Sequence, residues 1–113
     1  MSTRENLGEF EELVLLVVGV LYDEAYGVAI QTHIAEQAGR QINISAVHSA
    51  LHRLEDKGFL DSRMGGATQE RGGRRKRYFR VTMAGQKALV QVREQRNQLW
   101  SQIPSIAFDL KLS

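Results

Sequence analysis

Through the first half of the chain, apolar residues recur every three or four positions. Leu7, Phe10, Leu13, Val14, Val17, Val18 and Leu21 fall on one broad face and predict a helix over residues 7–22. A polar break, Asp23-Glu24-Ala25, ends it. Tyr26, Ile30, Ile34 and Ala38 mark a second helical face that Gly39 stops, because glycine takes the left-handed C-terminal conformation at little steric cost. After the short link 40–42, a third helix opens on Asn43 or Ser45 as N-cap, buries Val47, Leu51 and Leu54, and closes at Lys57-Gly58. The period then changes to two. Residues 59–64 and 77–81 alternate as short strands joined by a tract holding Gly65, Gly66, Gly72 and Gly73, the pattern of a two-stranded wing. Thr82 is the expected N-cap of a last helix, in which Gly85, Leu89, Val92, Arg96, Leu99 and Ile103 recur at alternating spacings of four and three. Pro104, the only proline, ends it. The tail stays open: Ile106, Phe108, Leu110 and Leu112 alternate like a strand, yet Ile106 and Leu110 also sit one helical turn apart.

Helix, helix, helix, strand, strand and projecting helix, in that order, predict an α+β, mostly helical fold: a winged helix-turn-helix with a C-terminal dimerisation helix. The expected division is 1–82 for the winged domain and 83–113 for the last helix and tail. A lone amphipathic helix trailing a small domain has nowhere within that domain to bury its seam, so a second copy of the chain is expected to cover it. Leu89, Val92, Leu99 and Ile103 form that seam. Arg96 interrupts it at a core-like position, where it sets the register or faces an acid of the second copy. Trp100, the only tryptophan, adjoins it and is read as packing area.

Charge then points to a partner. Residues 71–80 carry six positive charges and no acid; removing these from the net +2 of the whole leaves −4 on the other 103 residues. Positive charge is thus concentrated at the wing of a mildly acidic body, the arrangement expected for a polyanion, nucleic acid first. At 113 residues and 42% hydrophobic content, the chain can bury one modest core. The absence of cysteine removes disulfides, thiolate metal sites and a Cys nucleophile, and is compatible with a reducing cytoplasm. The longest apolar run, residues 13–22, is too short to span a bilayer and follows Glu9, Glu11 and Glu12 where a signal peptide carries Lys or Arg, so no membrane segment is expected.

In a helix-turn-helix, the N-terminal part of the second helix enters the major groove of duplex DNA. With Val47, Leu51 and Leu54 turned inward, the outward positions are Ser45, Ala46, His48, Ser49 and His52, joined by Asn43 at the cap and by Arg53 if its guanidinium swings round. These short, neutral side chains lack bidentate arginine readout of guanine, so modest base discrimination, supplemented by DNA shape, is expected. In the wing, Arg71, Arg74, Arg75, Lys76 and Arg77 flank a glycine-rich tip and suit phosphates and narrow minor grooves, while Phe79 and Val81 anchor its base.

Other chemistry is weaker. His48 and His52 share a helix side as a zinc pair does, but no glutamate follows the first, no cysteine exists and His33 lies on another helix. Neither metal nor cofactor is expected. Arg71-Gly72-Gly73 is a single copy of an RNA-binding pattern. There is no Gly-x-Ser-x-Gly and no phosphate loop with its Lys-Ser/Thr, so an enzyme is not expected. The better rival is a protein-interaction module reusing the winged fold, since fold does not fix function.

Four motifs in order carry a resemblance. They are Leu7-Gly8-Glu9-Phe10-Glu11 opening the first helix, Ala25-Tyr26-Gly27 opening the second, Leu51-His52-Arg53-Leu54-Glu55 with Lys57-Gly58 in the third, and Arg77-Tyr78-Phe79-Arg80-Val81-Thr82 with Gly85 after the wing. In this order the chain resembles the PadR family of bacterial transcriptional regulators from Leu7 to about Leu89, and its short tail resembles the compact subfamily in which a single C-terminal helix makes the dimer. Family members commonly carry Gly-Thr-Leu-Tyr-Pro at the start of the recognition helix; Ser45-Ala46-Val47-His48-Ser49 stands there, so contacts of the family tyrosine do not carry over to His48. The resemblance implies a homodimeric, ligand-responsive repressor, with Trp100 as a candidate wall of an apolar effector cavity; the two-fold symmetry of such a dimer calls for a pseudo-palindromic operator.

Overall fold

The computed structural model describes residues 7–65 and 75–108. Helix α1 spans Glu9–Leu21, α2 Gly27–Ala38 and α3 Ile44–Asp56; strands β1 (Leu60–Met64) and β2 (Arg77–Val81) follow, then α4 (Met83–Gln102). Short 3-10 turns cover Tyr22–Glu24 and Ser105–Phe108.

The ends of these elements follow from local chemistry. Gly39 takes φ 65° and its N–H donates to the Ala35 carbonyl at 3.1 Å, closing α2. Of the two N-cap candidates for α3, Asn43 is the one used: its side chain accepts from the Ser45 N–H at 3.1 Å. Gly58 at φ 81° turns the chain from α3 into β1. The Thr82 hydroxyl caps α4 by accepting from the Gly85 N–H at 3.0 Å and donates to the Gly58 carbonyl at 2.7 Å. One side chain therefore fixes the start of α4 and the end of α3. Pro104 lies just beyond the last helical residue, and the tail that read equally as strand or helix forms a 3-10 turn as far as Phe108; Leu110 and Leu112 lie outside the described residues.

The core gathers Val14, Leu15 and Val18 of α1, Ile30 and Ile34 of α2, Val47, Leu51 and Leu54 of α3, and Leu60 of β1, all at most 1% exposed. Apart from Leu15 and the strand residue Leu60, these are positions that the three-and-four spacing placed inward; Ala38, placed with them, is exposed at the end of α2. The strands pair antiparallel from Leu60 opposite Val81 to Met64 opposite Arg77. On the far edge of β2 the Phe79 N–H donates to the Ala25 carbonyl at 2.9 Å, and the buried Phe79 ring enters the core, so the wing is fastened to the helical body at its base.

Helix α4 behaves differently from the other three. Gly85 is its one buried residue; Ala88 and Leu89 pack on the core, and most of the remainder is exposed. The radius of gyration is 17.4 Å, against about 13 Å for a compact chain of this length, because α4 projects from the body.

Candidate nucleic-acid interface

Helix α3 presents Ser45, Ala46, His48, Ser49, His52 and Arg53 to solvent, with Asn43 exposed at its cap. His48 is not a loose side chain. A Cβ placed on Gly27 would lie 2.8 Å from the His48 ring, so the imidazole rests directly on the bare backbone at the start of α2. Any larger residue at position 27 would displace it.

The next residue along carries the surface into the wing. Tyr26 packs edge-on against Tyr78 of β2, with centroids 5.5 Å apart, and the Lys76 ammonium sits 4.2 Å from the centre of the Tyr26 ring. The Arg63 guanidinium of β1 lies 5.1 Å from the Tyr78 ring. Gly65 makes room for this arrangement, since a Cβ there would approach Tyr78 to 2.6 Å, and the Gly65 N–H donates to the Lys76 carbonyl at 2.7 Å. His48, Gly27, Tyr26 and Lys76 thus form one continuous path from α3 to the wing.

The wing cations are individually held. Arg75 donates through Nε to the Gly65 carbonyl at 3.1 Å, and Arg77 donates to the Ser62 hydroxyl at 2.9 Å, which in turn donates to the Glu55 carboxylate of α3 at 2.7 Å. Arg80, the last charge of the cluster, turns to Asp23 and stacks over Tyr22 at the base of the wing. Arg71 and Arg74 lie outside the described residues.

Arg53, allowed by sequence to swing toward a base, is exposed and paired with α1. Its Nε donates to Glu11 Oε2 at 2.7 Å, while Lys57 donates to Oε1 at 2.6 Å and the Gly8 N–H to the same oxygen at 3.2 Å. Burial alone would push the Glu11 carboxyl up; the hydrogen bonds from Lys57, Arg53 and Gly8 outweigh it and hold the group below the usual carboxylate range. Sequence reading missed Arg63, Glu11 and the Tyr26–Tyr78 pair. The hint was that Glu11, Tyr26, Gly27 and Tyr78 all belong to the motifs that carry the resemblance.

Comparison with known proteins gives this surface its context. The model of the transcriptional regulator PadR-like family matches residues 14–91, most of the chain and every element from α1 into α4. The chain belongs to the PadR-like family of transcriptional regulators. Among solved structures, the smu.1704 protein of Streptococcus mutans UA159 is 30% identical and superposes with a TM-score of 0.63, over 86% of this chain and 84% of that one. A PadR-like transcription factor from Bacteroides fragilis is 18% identical with a TM-score of 0.71, over 86% and 88% of the two chains. PadR of Bacillus subtilis, solved in complex with operator DNA, is 21% identical with a TM-score of 0.59, over 74% of this chain and 45% of that one. No curated protein matches the sequence significantly.

In this PadR-like chain the α4 face divides in two. Leu89 and Val92 are partly buried, Leu89 against its own core, whereas Leu99 at 60%, Trp100 at 68% and Ile103 are exposed. Arg96 donates to Glu12 of α1 at 2.9 Å; the acid that it faces is on its own chain. An open groove bounded by Leu7, Glu12, Val92, Arg96 and Leu99 runs between the start of α1 and α4. The tail folds back so that Phe108 packs 5.6 Å from the Trp100 ring. No described helix is long and apolar enough to cross a membrane.

Proposed function

We propose that this PadR-like protein is a sequence-specific, double-stranded-DNA-binding repressor that acts in the cytoplasm as a homodimer. In this reading Asn43, Ser45, Ala46, His48, Ser49 and His52 enter the major groove, and Arg53 reaches the backbone from the end of the same helix. The wing cations Arg71, Arg74, Arg75, Lys76 and Arg77 follow the adjacent phosphates. The observation that carries it is the unbroken path from His48 over Gly27 and Tyr26 to Lys76, which supports a shared face for the groove-sized helix and the charged hairpin. The DNA-bound structure of the B. subtilis relative supports the same use of the fold.

Residues 1–82 then serve as the DNA-binding domain and 83–113 as the dimerisation segment. The second copy covers Val92, Leu99, Trp100 and Ile103 and the groove beside α1, because an exposed apolar helix end of this kind is stable when buried against its own symmetry mate. Two recognition helices related by a two-fold axis call for a pseudo-palindromic operator with half-sites about one or two helical turns apart. Trp100, with Phe108 beside it, is the proposed wall for an apolar effector. Such a ligand releases DNA only if it prefers one separation of the two α3 helices over another.

The test is selection of DNA fragments by the purified protein followed by sequencing, with binding of the recovered duplex measured against salt. A two-fold sequence and a linear fall of log affinity with log salt are expected. Salt-insensitive binding, or no enrichment, would leave a protein-interaction module as the surviving reading.

A further inference from the structure

We propose that Tyr26 and Tyr78 are positioning residues of the DNA-binding surface. As a single aromatic platform they hold Lys76 of the wing over Tyr26 and Arg63 of β1 over Tyr78, so that both address the phosphate backbone, and Arg63 joins a surface that the cationic cluster alone does not include. The proposal rests on the DNA-binding reading above and adds to it which cations count and what aims them.

The geometry sets this group apart from ordinary exposed charge. Lys and Arg side chains on a hairpin normally sample many rotamers, and ordering each on binding costs side-chain entropy. Here the Lys76 ammonium lies 4.2 Å from the Tyr26 ring centre and the Arg63 guanidinium 5.1 Å from that of Tyr78. Both cations remain exposed, so the rings restrain them without removing them from solvent. The rings are themselves fixed: they meet edge to face at 5.5 Å, Gly65 lies against Tyr78, and β2 is tied to Ala25, the residue before Tyr26, by the Phe79 N–H. No acid is paired with Lys76 or Arg63 among the described residues, whereas the nearby Arg80 is already engaged by Asp23. Their charge is therefore available to a polyanion.

The experiment is a double-mutant cycle on a fluorescein-labelled mixed-sequence duplex, using the full chain as wild type, Tyr26→Leu, Lys76→Ala and the double variant, with Tyr26→Phe as the conservative control. Tyr26→Leu is expected to weaken binding about two- to five-fold in the wild-type background and to have no further effect once Lys76 is alanine. Tyr26→Phe retains wild-type affinity because the ring face is kept. Equal losses in both backgrounds would mean that Tyr26 supports only the fold, and would overturn the proposal.

Arg63→Ala and Lys76→Ala change exposed side chains and leave the ring pair intact, so they report even if Tyr26→Leu melts. Each is expected to reduce the salt slope by about one unit. An unchanged slope for Arg63→Ala overturns the inclusion of β1 while wild-type binding persists. A wild-type protein with no salt-dependent affinity for duplex would instead remove the DNA reading itself.

Discussion

The carboxylate of Glu11, on the first turn of α1, accepts a 2.7 Å hydrogen bond from Nε of Arg53, forty-two residues later on α3. With Lys57 on its other oxygen, Glu11 pins α3 to α1. Its carboxyl is held below the ordinary carboxylate range, so on acidification the unfolded chain takes up this proton first. The stabilisation is fully present above the ordinary range and is lost as pH falls through the folded value. Glu11→Gln is expected to lower stability by about 2 kcal/mol at neutral pH. Thermal melts of both proteins from about pH 7 to about pH 3 are expected to converge at the acid end; a gap independent of pH would contradict the ion-pair account.

Gly85→Ala sets helix propensity against space. Alanine is favoured over glycine inside a helix by about 1 kcal/mol. A methyl at position 85, however, would collide with the Phe59 carbonyl oxygen and meet a Val81 methyl at 2.9 Å. Backbone cannot rotate away as a side chain can, so the clash wins and a net loss of about 2 kcal/mol is expected by chemical denaturation. A stabilised variant would show that α4 can lift from the wing without cost.

Removal of a positioning charge and removal of a reading group are expected to differ in kind. Arg75→Ala should weaken binding to all duplexes alike and lower the salt slope by about one unit, whereas changes at His48 or Ser49 should alter which sequence is preferred. Gly27→Val, which displaces the His48 ring, is expected to act like a His48 substitution on sequence preference. Sedimentation-controlled anisotropy on operator and scrambled duplexes separates the two classes.

Leu99→Asp places a charge at the exposed apolar end of α4. It is expected to convert a dimer to a monomer on analytical ultracentrifugation while leaving helicity intact, since Leu99 contributes nothing to the protomer core. Operator affinity should fall with dimerisation, because two half-sites then bind independently. If the variant remains a dimer, the seam lies elsewhere. Trp100 emission is also expected to change with any ligand that releases DNA; a silent tryptophan would remove it from the effector site.

Much of the architecture was written locally. The three-and-four spacing of Val14, Val18, Ile30, Ile34, Val47, Leu51 and Leu54 specified which faces turn inward, and Gly39, Gly58, Thr82 and Pro104 marked where elements stop. These signals act within a few residues, through cap hydrogen bonds and backbone sterics, and so can be read without knowing the partner element. The concentration of charge at the wing was equally visible because it is a property of adjacent residues.

Partnerships across the chain were not. Nothing in the spacing of Glu11 and Arg53, Tyr26 and Lys76, or Arg96 and Glu12 shows that they meet, because each contact depends on how one packed element crosses another. The sequence by itself determined the elements, their buried faces and the cationic wing. Only the tertiary structure decided that Arg53 pairs with Glu11 of α1, that Arg96 answers an acid of its own chain, and that two tyrosines join the start of α2 to the wing. Periodicity records the direction in which a side chain leaves its own helix or strand; the identity of the group waiting there is fixed by the packing of the whole.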